Sequence, residues 1–142
     1  PPIRSKSDCN SLKEGLIDGT IDYLTSMHEP YDIDHKKVVF DDASPGTIGL
    51  EPMFGLMCNQ FTLEKTIDIL TRGKMIFEID DHSIDIGSNA NLTLFNPDKN
   101  YEFSDKHILS SSNNCAFLGN KLKGVVYGSV NGDKFTLNKL WT

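Results

Sequence analysis

The spacing of apolar residues changes near Gly73, and this change constrains the fold of the 142-residue chain most strongly. Before Gly73, apolar residues recur three and four positions apart, which is typical of amphipathic helices. After Gly73, they alternate with polar residues over short runs that end in turn residues, which is typical of strands. The sequence therefore predicts an α/β half over residues 1–73 and an all-β half over residues 74–142. Each half alone would bury only a small core, near the lower limit for independent folding.

The first half begins with the pattern of a helix, a tight turn and a strand. Ser11 and Glu14 have the spacing of a capping box, so we expect a helix to begin at Ser11. Gly19 suits the left-handed residue that ends a helix. Residues 20–27 alternate and are rich in β-branched and aromatic side chains, which predicts a short strand.

Residues 28–48 form a long predicted loop that carries two prolines and no helical period. Loops of this length are uncommon in compact domains and often have a function. Two helices are predicted after it, one over 48–57 with Pro52 in its first turn and one over 62–71 capped by Thr62. The apolar stripe of the second of these helices consists of Leu63, Ile67 and Leu70.

The second half contains several short candidate strands with turn residues between them. They cover residues 83–87, 91–97 (ending at Pro97), 101–103 and 123–138. The last of these is predicted to be a hairpin with a type I′ turn at Asn131-Gly132. Trp141 is expected to lie in a surface tail.

The charge balance excludes some partners. With 20 acidic and 14 basic residues, the chain has a formal net charge of -6. Binding to a nucleic-acid backbone requires clustered Lys and Arg, so nucleic acid is not an expected partner. No run of about 18 apolar residues is present, so we expect no membrane span.

The cysteines indicate the cellular compartment of the protein, and the first residues indicate whether the sequence is part of a longer protein. Cys9, Cys58 and Cys115 are odd in number and have no CxxC spacing, which argues against a thiolate zinc site or a disulfide framework. A reducing, cytoplasmic compartment is expected. The first residues, "PPIRSKSD", contain no Met and look like a loop that enters a helix. We therefore expect a piece of a longer protein.

Four segments together resemble one enzyme family. They are "LKEGLIDGTIDYLTSMHEPYDIDHK" (12–36), "SPGTIGLEPMFGLM" (44–57), "IDIGSNANLTLFNPDKNYEF" (84–103) and "FLGNKLKGVVYGSVNGDKF" (117–135). These segments are similar to the last barrel strand, the following loop and the closing strands of dihydroorotases, in the cyclic amidohydrolase superfamily. The last two patterns occur across many amidohydrolases, whereas residues 11–51 are more specific to dihydroorotases.

The resemblance implies a fold and a cofactor. It implies the C-terminal fragment of a TIM-barrel amidohydrolase, with the last strand, loop and helices of the (β/α)₈ barrel over 1–73. The C-terminal part of the small β-sandwich domain would follow over 74–142. The family uses zinc, held largely by a His-x-His pair and a bridging lysine from earlier barrel strands. Since those strands are absent here, this chain alone is expected to bind no zinc and to be inactive.

The resemblance also implies which residues stand at the chemical positions. The family motif in this loop is Asp-His-Ala-Pro-His, in which the Asp ligates metal and exchanges protons and the last His holds the substrate carboxylate. Aligned on Pro30, the chain has Met27 at the Asp position and Tyr31 at the last His position. Met27 has no proton to exchange, and Tyr31 is uncharged near neutral pH. The expected catalytic residues are therefore none.

Other residues are weaker candidates for a site. Glu29 lies two positions from Met27 and could take over from it if the strand alternation continues. His28 with His35, or His28 with Glu29, is a weak candidate for metal binding because a third ligand is missing. Pro45 and Gly46 stand where the family holds the substrate ring through backbone groups, although a plain turn explains them equally well. The carboxylates of the loop would by default be solvated; they are Asp32, Asp34, Asp41 and Asp42.

The resemblance leaves three functions open. The first is a catalytically impaired dihydroorotase-like protein of pyrimidine biosynthesis, a kind of relative that serves as a structural partner of aspartate carbamoyltransferase. The second is an active zinc-dependent dihydroorotase in the full-length parent, acting on dihydroorotate. The third is a hydrolase of another cyclic amide, because fold does not fix substrate. Under each of them the unpaired barrel strand of this chain is expected to drive homo-oligomer formation.

Overall fold

The structure is a computed structural model that describes residues 3, 5–79 and 83–141. Four α-helices are described: α1 (Lys6–Asp18), α2 (Met53–Gln60), α3 (Leu63–Thr71) and α4 (Gly73–Ile76). Three strands are described: β1 (Asn91–Glu102), β2 (Lys121–Asn131) and β3 (Lys134–Leu137). Short 3₁₀ helices cover Ile33–His35, Phe40–Asp42 and Asp105–His107.

Helix α1 begins six residues before the predicted start. The hydroxyl of Ser5, in extended backbone, accepts a hydrogen bond from the Asp8 N–H at 3.0 Å and caps the helix there. The capping box predicted at Ser11 is therefore wrong: Ser11 lies inside the helix, and Ser5 already accepts from one of the free N–H groups of the first turn. The predicted end is confirmed, because Gly19 has φ +88° in the left-handed region.

The strand predicted over 20–27 does not form. Within the described residues this segment has no strand partner, and the nearest pairing is a single parallel bridge between His28 and Thr47. A strand needs a neighbour for its N–H and C=O groups, and alternation alone cannot supply one. The first half consequently consists of helices and loops in the part of the chain that the structure describes.

Helices α2 and α3 confirm the two later predictions with small shifts. Pro52 occupies the N-cap of α2, and the Thr62 hydroxyl caps α3 by accepting from the Lys65 N–H at 3.3 Å. The buried face of α3 is rotated from the predicted stripe, because Ile69 is buried whereas Ile67 is 39% exposed. A small core of Leu16, Met57 and Ile69 joins α1, α2 and α3.

Strand β1 continues through Pro97, so the strand end predicted there is wrong. The register of the antiparallel β1–β2 pair shifts between Asn96 and Asn100. Pro97 falls within this irregularity, where a residue without an N–H costs no ladder hydrogen bond. The candidate strand 101–103 is largely the continuation of β1.

The hairpin between β2 and β3 is confirmed, but its turn is one residue later than predicted. Asn131 pairs with Lys134, so Gly132 and Asp133 form the turn. Gly132 has φ +58°, but Asp133 has no positive φ, so the type I′ turn, which needs positive φ at both central residues, is wrong. The strand predicted over 83–87 is wrong, since these residues form bends and turns.

The sheet, in the order β1-β2-β3, packs against α2. Gly55 makes this possible: a Cβ added there would lie 3.0 Å from the Leu122 Cβ. Phe54 meets Phe95 edge-on at 5.1 Å between ring centroids. Trp141 stacks on His107 at 5.3 Å, so the surface tail predicted for it is wrong.

The described helices include none that is long and apolar enough to cross a membrane. The three cysteines are free thiols, each half-buried. Burial raises the pKa of the Cys58 and Cys115 thiols, which makes them poor nucleophiles.

Candidate functional site

Met27 has an unusual backbone conformation. Its φ is +43°, in the left-handed region, and 63% of the residue is exposed. Its N–H donates to the Thr25 Oγ1 at 3.3 Å. Among residues with a side chain, Asn, Asp and His are several-fold enriched in this region. The backbone at position 27 therefore suits an Asp better than the Met that occupies it.

Glu29 is held by the loop and not by strand alternation. Its N–H donates to the Thr47 carbonyl at 3.1 Å, and its own carbonyl accepts from Asn114 Nδ2 at 2.8 Å. The side chain lies against Gly46, where an added Cβ would come within 1.9 Å of Glu29 Oε2. Glu29 could take over the role of Met27 only if a strand placed both side chains on the same face. The left-handed backbone at Met27 interrupts such a strand.

Gly46 and Pro45 lie exposed on the loop. Gly46 has φ +104°, and its carbonyl accepts from Lys36 Nζ at 2.9 Å. Because Gly46 has no side chain, the Glu29 carboxylate can occupy the space where a Cβ would lie. Binding of a substrate by Pro45 and Gly46 stays a prediction.

Both ring nitrogens of His28 are engaged. Nδ1 accepts backbone N–H groups from Gly49 at 3.3 Å and Leu50 at 3.2 Å, so the ring proton lies on Nε2. Nε2 contacts Ser110 Oγ at 3.2 Å and donates to it. Glu51 Oε2 lies 3.9 Å from Nδ1, but this contact is not an ion pair when Nδ1 carries no proton. His28 consequently has no free lone pair for a metal.

Glu51 anchors this arrangement, and sequence reasoning gave it no role. Its Oε1 accepts from the Ser110 hydroxyl at 2.5 Å and from the N–H groups of Ser110 at 2.9 Å and Leu109 at 3.2 Å. Burial alone would raise the pKa of Glu51, but these hydrogen bonds outweigh it and lower the pKa below the usual value. The Gly-Leu-Glu pattern at 49–51 was the signal that could have identified it.

Tyr31 lies where the loop meets residues 111–114. Its N–H donates to Asn114 Oδ1 at 3.0 Å, and its carbonyl accepts from Ser112 Oγ. Lys36 Nζ lies 5.7 Å from the centroid of the Tyr31 ring. A cavity of about 300 Å³ opens here, lined by residues 31–33, Lys36 and residues 111–114.

His35 pairs with an aspartate and not with His28. Asp32 Oδ1 caps the Ile33–His35 turn and accepts from His35 Nδ1 at 2.6 Å. This hydrogen bond is the main cause that lowers the pKa of Asp32. Asp34, Asp41 and Asp42 are exposed.

The described residues do not fit zinc. Among them no group of three or more His, Cys, Asp or Glu side chains is placed to hold a metal ion. His28 lacks a free nitrogen, Glu29 packs on Gly46, and Met27 offers only a thioether, which zinc does not favour. His82 lies outside the described residues.

Comparison with known proteins relates the chain to dihydroorotases. The dihydroorotase of Macrococcus caseolyticus is 35% identical over 138 residues, which cover 92% of this chain and 31% of that protein. The chain is a homologue of the dihydroorotases. It spans about a third of the length of the curated dihydroorotases it matches. No family model matches the chain.

Solved structures of other proteins have a fold similar to that of this chain. The D-hydantoinase of Bacillus sp. AR9 has a TM-score of 0.81 at 21% identity, covering 97% of this chain and 33% of that one. The inactive dihydroorotase-like domain of the Chaetomium thermophilum CAD-like multifunctional protein has a TM-score of 0.58 at 20% identity, covering 94% and 36%. The chain thus has the fold of about a third of a D-hydantoinase chain.

Proposed function

We propose that the chain is the C-terminal part of a dihydroorotase-family protein of pyrimidine biosynthesis whose hydrolytic site is impaired. Residues 1–73 would supply the last strand, loop and helices of the (β/α)₈ barrel, and residues 74–142 part of the β-sandwich. The observation that carries the impairment is Met27, which lies in left-handed backbone where the family motif has its Asp.

The chemistry of the reaction supports this proposal. Hydrolysis of a cyclic amide requires a group that takes a proton from the attacking water and gives one to the leaving nitrogen. Met27 cannot do either. The neighbouring groups are occupied: His28 by Ser110 and two backbone N–H groups, and Glu29 by its packing on Gly46.

Tyr31 supports a loss of substrate binding as well. A positively charged His at this position would attract the substrate carboxylate, whereas a phenol is uncharged near neutral pH. Its backbone is fixed by Asn114 and Ser112, so the loop itself is ordered around a changed side chain. Two independent changes at chemical positions are hard to reconcile with full activity.

A non-catalytic role follows from an intact fold with an impaired site. We propose that the longer protein acts as a structural partner, with aspartate carbamoyltransferase as the candidate. Co-purification of the two proteins at a fixed stoichiometry tests this part. Independent migration of both at micromolar concentrations would contradict it.

Turnover of the longer protein tests the impairment. The protein is assayed for dihydroorotate cyclisation and hydrolysis with added zinc, next to an active dihydroorotase. We expect no turnover above the uncatalysed rate. Turnover within tenfold of the active enzyme would contradict the proposal.

The second candidate function is an active cyclic amidohydrolase, on dihydroorotate or another cyclic amide. The fold likeness to hydantoinases and the altered residue at Tyr31 favour a changed substrate. A screen of hydantoins, dihydropyrimidines and dihydroorotate with zinc-loaded longer protein separates the two candidates. Stoichiometric zinc with turnover of any one of them would favour this candidate.

A further inference from the structure

A second cavity lies between α2 and the sheet, and the last described residues form part of its wall. Its volume is about 260 Å³. The lining includes Phe54 of α2 and Val125 of β2, together with three residues that follow β3: Asn138, Leu140 and Trp141. We call residues 138–141 the cover segment.

The cover segment is anchored to the sheet at its first residue. The Asn138 N–H donates to the Tyr127 carbonyl of β2 at 2.7 Å. The Leu140 N–H donates to Asn138 Oδ1 at 3.1 Å, and the Trp141 N–H donates to the Asn138 carbonyl at 3.1 Å. Both of these later hydrogen bonds lie within the segment, so Trp141 is held against the rest of the described chain chiefly by its ring.

The Trp141 ring contacts three side chains. It stacks on the His107 ring at 5.3 Å, with 27° between the planes, and meets Tyr101 edge-on at 5.2 Å. The Lys99 ammonium lies 4.6 Å from its centroid. The His107 ring also stacks on Phe103 at 5.6 Å and is only 7% exposed. Burial of His107 therefore depends on Trp141 staying in place.

The buried His107 ring suits a neutral imidazole. Nδ1 accepts the Ser104 N–H at 3.0 Å, which places the ring proton on Nε2. Nε2 is buried and has no hydrogen-bond partner in the part of the chain that the structure describes. A protonated ring would give up the Ser104 N–H and would carry a charge with little water around it.

The groups next to His107 disfavour its charge. Burial is the largest cause and lowers the pKa of His107; a hydrogen bond to the Ser104 backbone raises it, and the charge of Lys106 lowers it. The neighbouring Tyr101 is uncharged, because burial raises the pKa of its phenol to about 12. Glu51 also lines the cavity, and its carboxylate would favour a charged ring. With all of these causes together, the pKa of His107 lies below its usual value.

The indole does not reverse this preference. Contact of an imidazolium with the face of an indole is favourable in general. Here the Lys99 ammonium already lies over the Trp141 ring, and two cations at one ring repel each other. A proton on His107 is therefore held more easily once Trp141 has left and water reaches the ring.

We propose that the cover segment is released by acid: protonation of His107 detaches Trp141 and opens the cavity between α2 and the sheet to water. The state in which His107 is exposed binds a proton more tightly, so acid raises the population of that state. The pairing of β1 with β2 stays intact during the release. This device is separate from position 27, and the proposal does not depend on the loss of catalysis.

Trp141 reports on its own release because it is the sole tryptophan. Quenching of its fluorescence by acrylamide is measured on the 142-residue chain from pH 8 to pH 5, with far-UV circular dichroism on the same samples. We expect the quenching constant to rise by a factor of about two or more, because local opening exposes the indole to water. The circular dichroism signal should stay constant.

Two variants separate His107 from other titrating groups. In His107→Phe, which keeps an aromatic ring but cannot be protonated, the quenching constant should not change with pH. The control His35→Phe removes a histidine from an exposed loop and should behave as the wild type does.

Three results would overturn the proposal: a quenching constant that does not change with pH in the wild type, the same rise in His107→Phe, or a rise that coincides with loss of the circular dichroism signal. Should His107→Phe fail to fold, the ring ¹H resonances of His107 in the wild type replace it. Their titration is expected to have the same midpoint as the rise in quenching, and distinct midpoints would equally rule the proposal out.

Discussion

At position 27 a Met side chain occupies a left-handed backbone conformation that Met rarely adopts. The sequence places Met where the resembling motif has Asp, and this could be recognised from residue types alone. The left-handed backbone could not, because a Met has no local preference for φ +43° and the turn is set by contacts distant in sequence. Such a mismatch marks a residue whose conformation is imposed by its surroundings.

Replacing Met27 by Asn should stabilise the chain. Asn tolerates the left-handed region, and little packing is lost because Met27 is 63% exposed. We expect the free energy of unfolding to rise by about 1 kcal/mol. Met27→Val, which is worse suited to positive φ, should lower it. Urea denaturation of the three proteins checks this, and an Asn variant less stable than the Val variant would contradict the backbone argument.

His107 should make stability depend on pH. Burial lowers its pKa below the usual 6.5 in the folded chain, so between 6.5 and that lower value the unfolded chain binds more protons. The contribution of neutral His107 to the free energy of unfolding is complete above pH 6.5 and is lost as the pH falls from 6.5 toward the lower pKa of the folded chain. In His107→Phe, the decrease in the free energy of unfolding that comes from protonation of His107 should be absent. Urea unfolding from pH 8 to 5 measures it; identical pH profiles for both proteins would contradict the assignment.

The structural elements differ in how far the sequence determines them. The Thr62 cap and the Gly19 end were predictable because each depends on one residue and its neighbours. The strand expected over 20–27 was not, since pairing requires a partner that local alternation does not reveal. Pro97 misled for a similar reason, because the irregular register that tolerates it arises from the pairing with β2.

The hydrogen bonds between the long loop and residues 112–116 could not be predicted from the sequence either. They depend on Asn114. Asn114 holds the Tyr31 N–H and the Glu29 carbonyl through its two side-chain groups. Asn114→Ala leaves both without a partner, and we expect a loss of about 1–3 kcal/mol. Asn113→Ala, at an exposed neighbour, is the matched control and should change stability little. Faster amide hydrogen exchange at Tyr31 in Asn114→Ala alone checks the mechanism; unchanged exchange would contradict it.

At the scale of the whole molecule, apolar surface remains beside the segment that forms no strand. A groove of about 590 Å³ is lined by residues 23–26, the end of α3 and residues 77 and 79. Phe77 is 59% exposed there and Ile79 56%. A segment with no strand partner among the described residues, next to apolar side chains, favours association with another strand.

We therefore expect the 142-residue chain to self-associate. Phe77→Lys, which places a charge at the groove, should shift the chain toward monomer. Ile86→Lys, at a fully exposed residue outside the groove, is the control and should not. Light scattering over a range of concentrations checks both, and a wild-type monomer at high concentration would argue against the expectation.

The central claim, that position 27 lacks the proton-exchanging carboxylate, is tested most directly by restoring it in the longer protein. kcat/KM for dihydroorotate with added zinc is measured for the wild type and for Met27→Asp combined with Tyr31→His. Our account predicts no measurable turnover in the wild type and any gain only in the double variant. Wild-type turnover comparable to that of an active dihydroorotase, unchanged by the two substitutions, would contradict it.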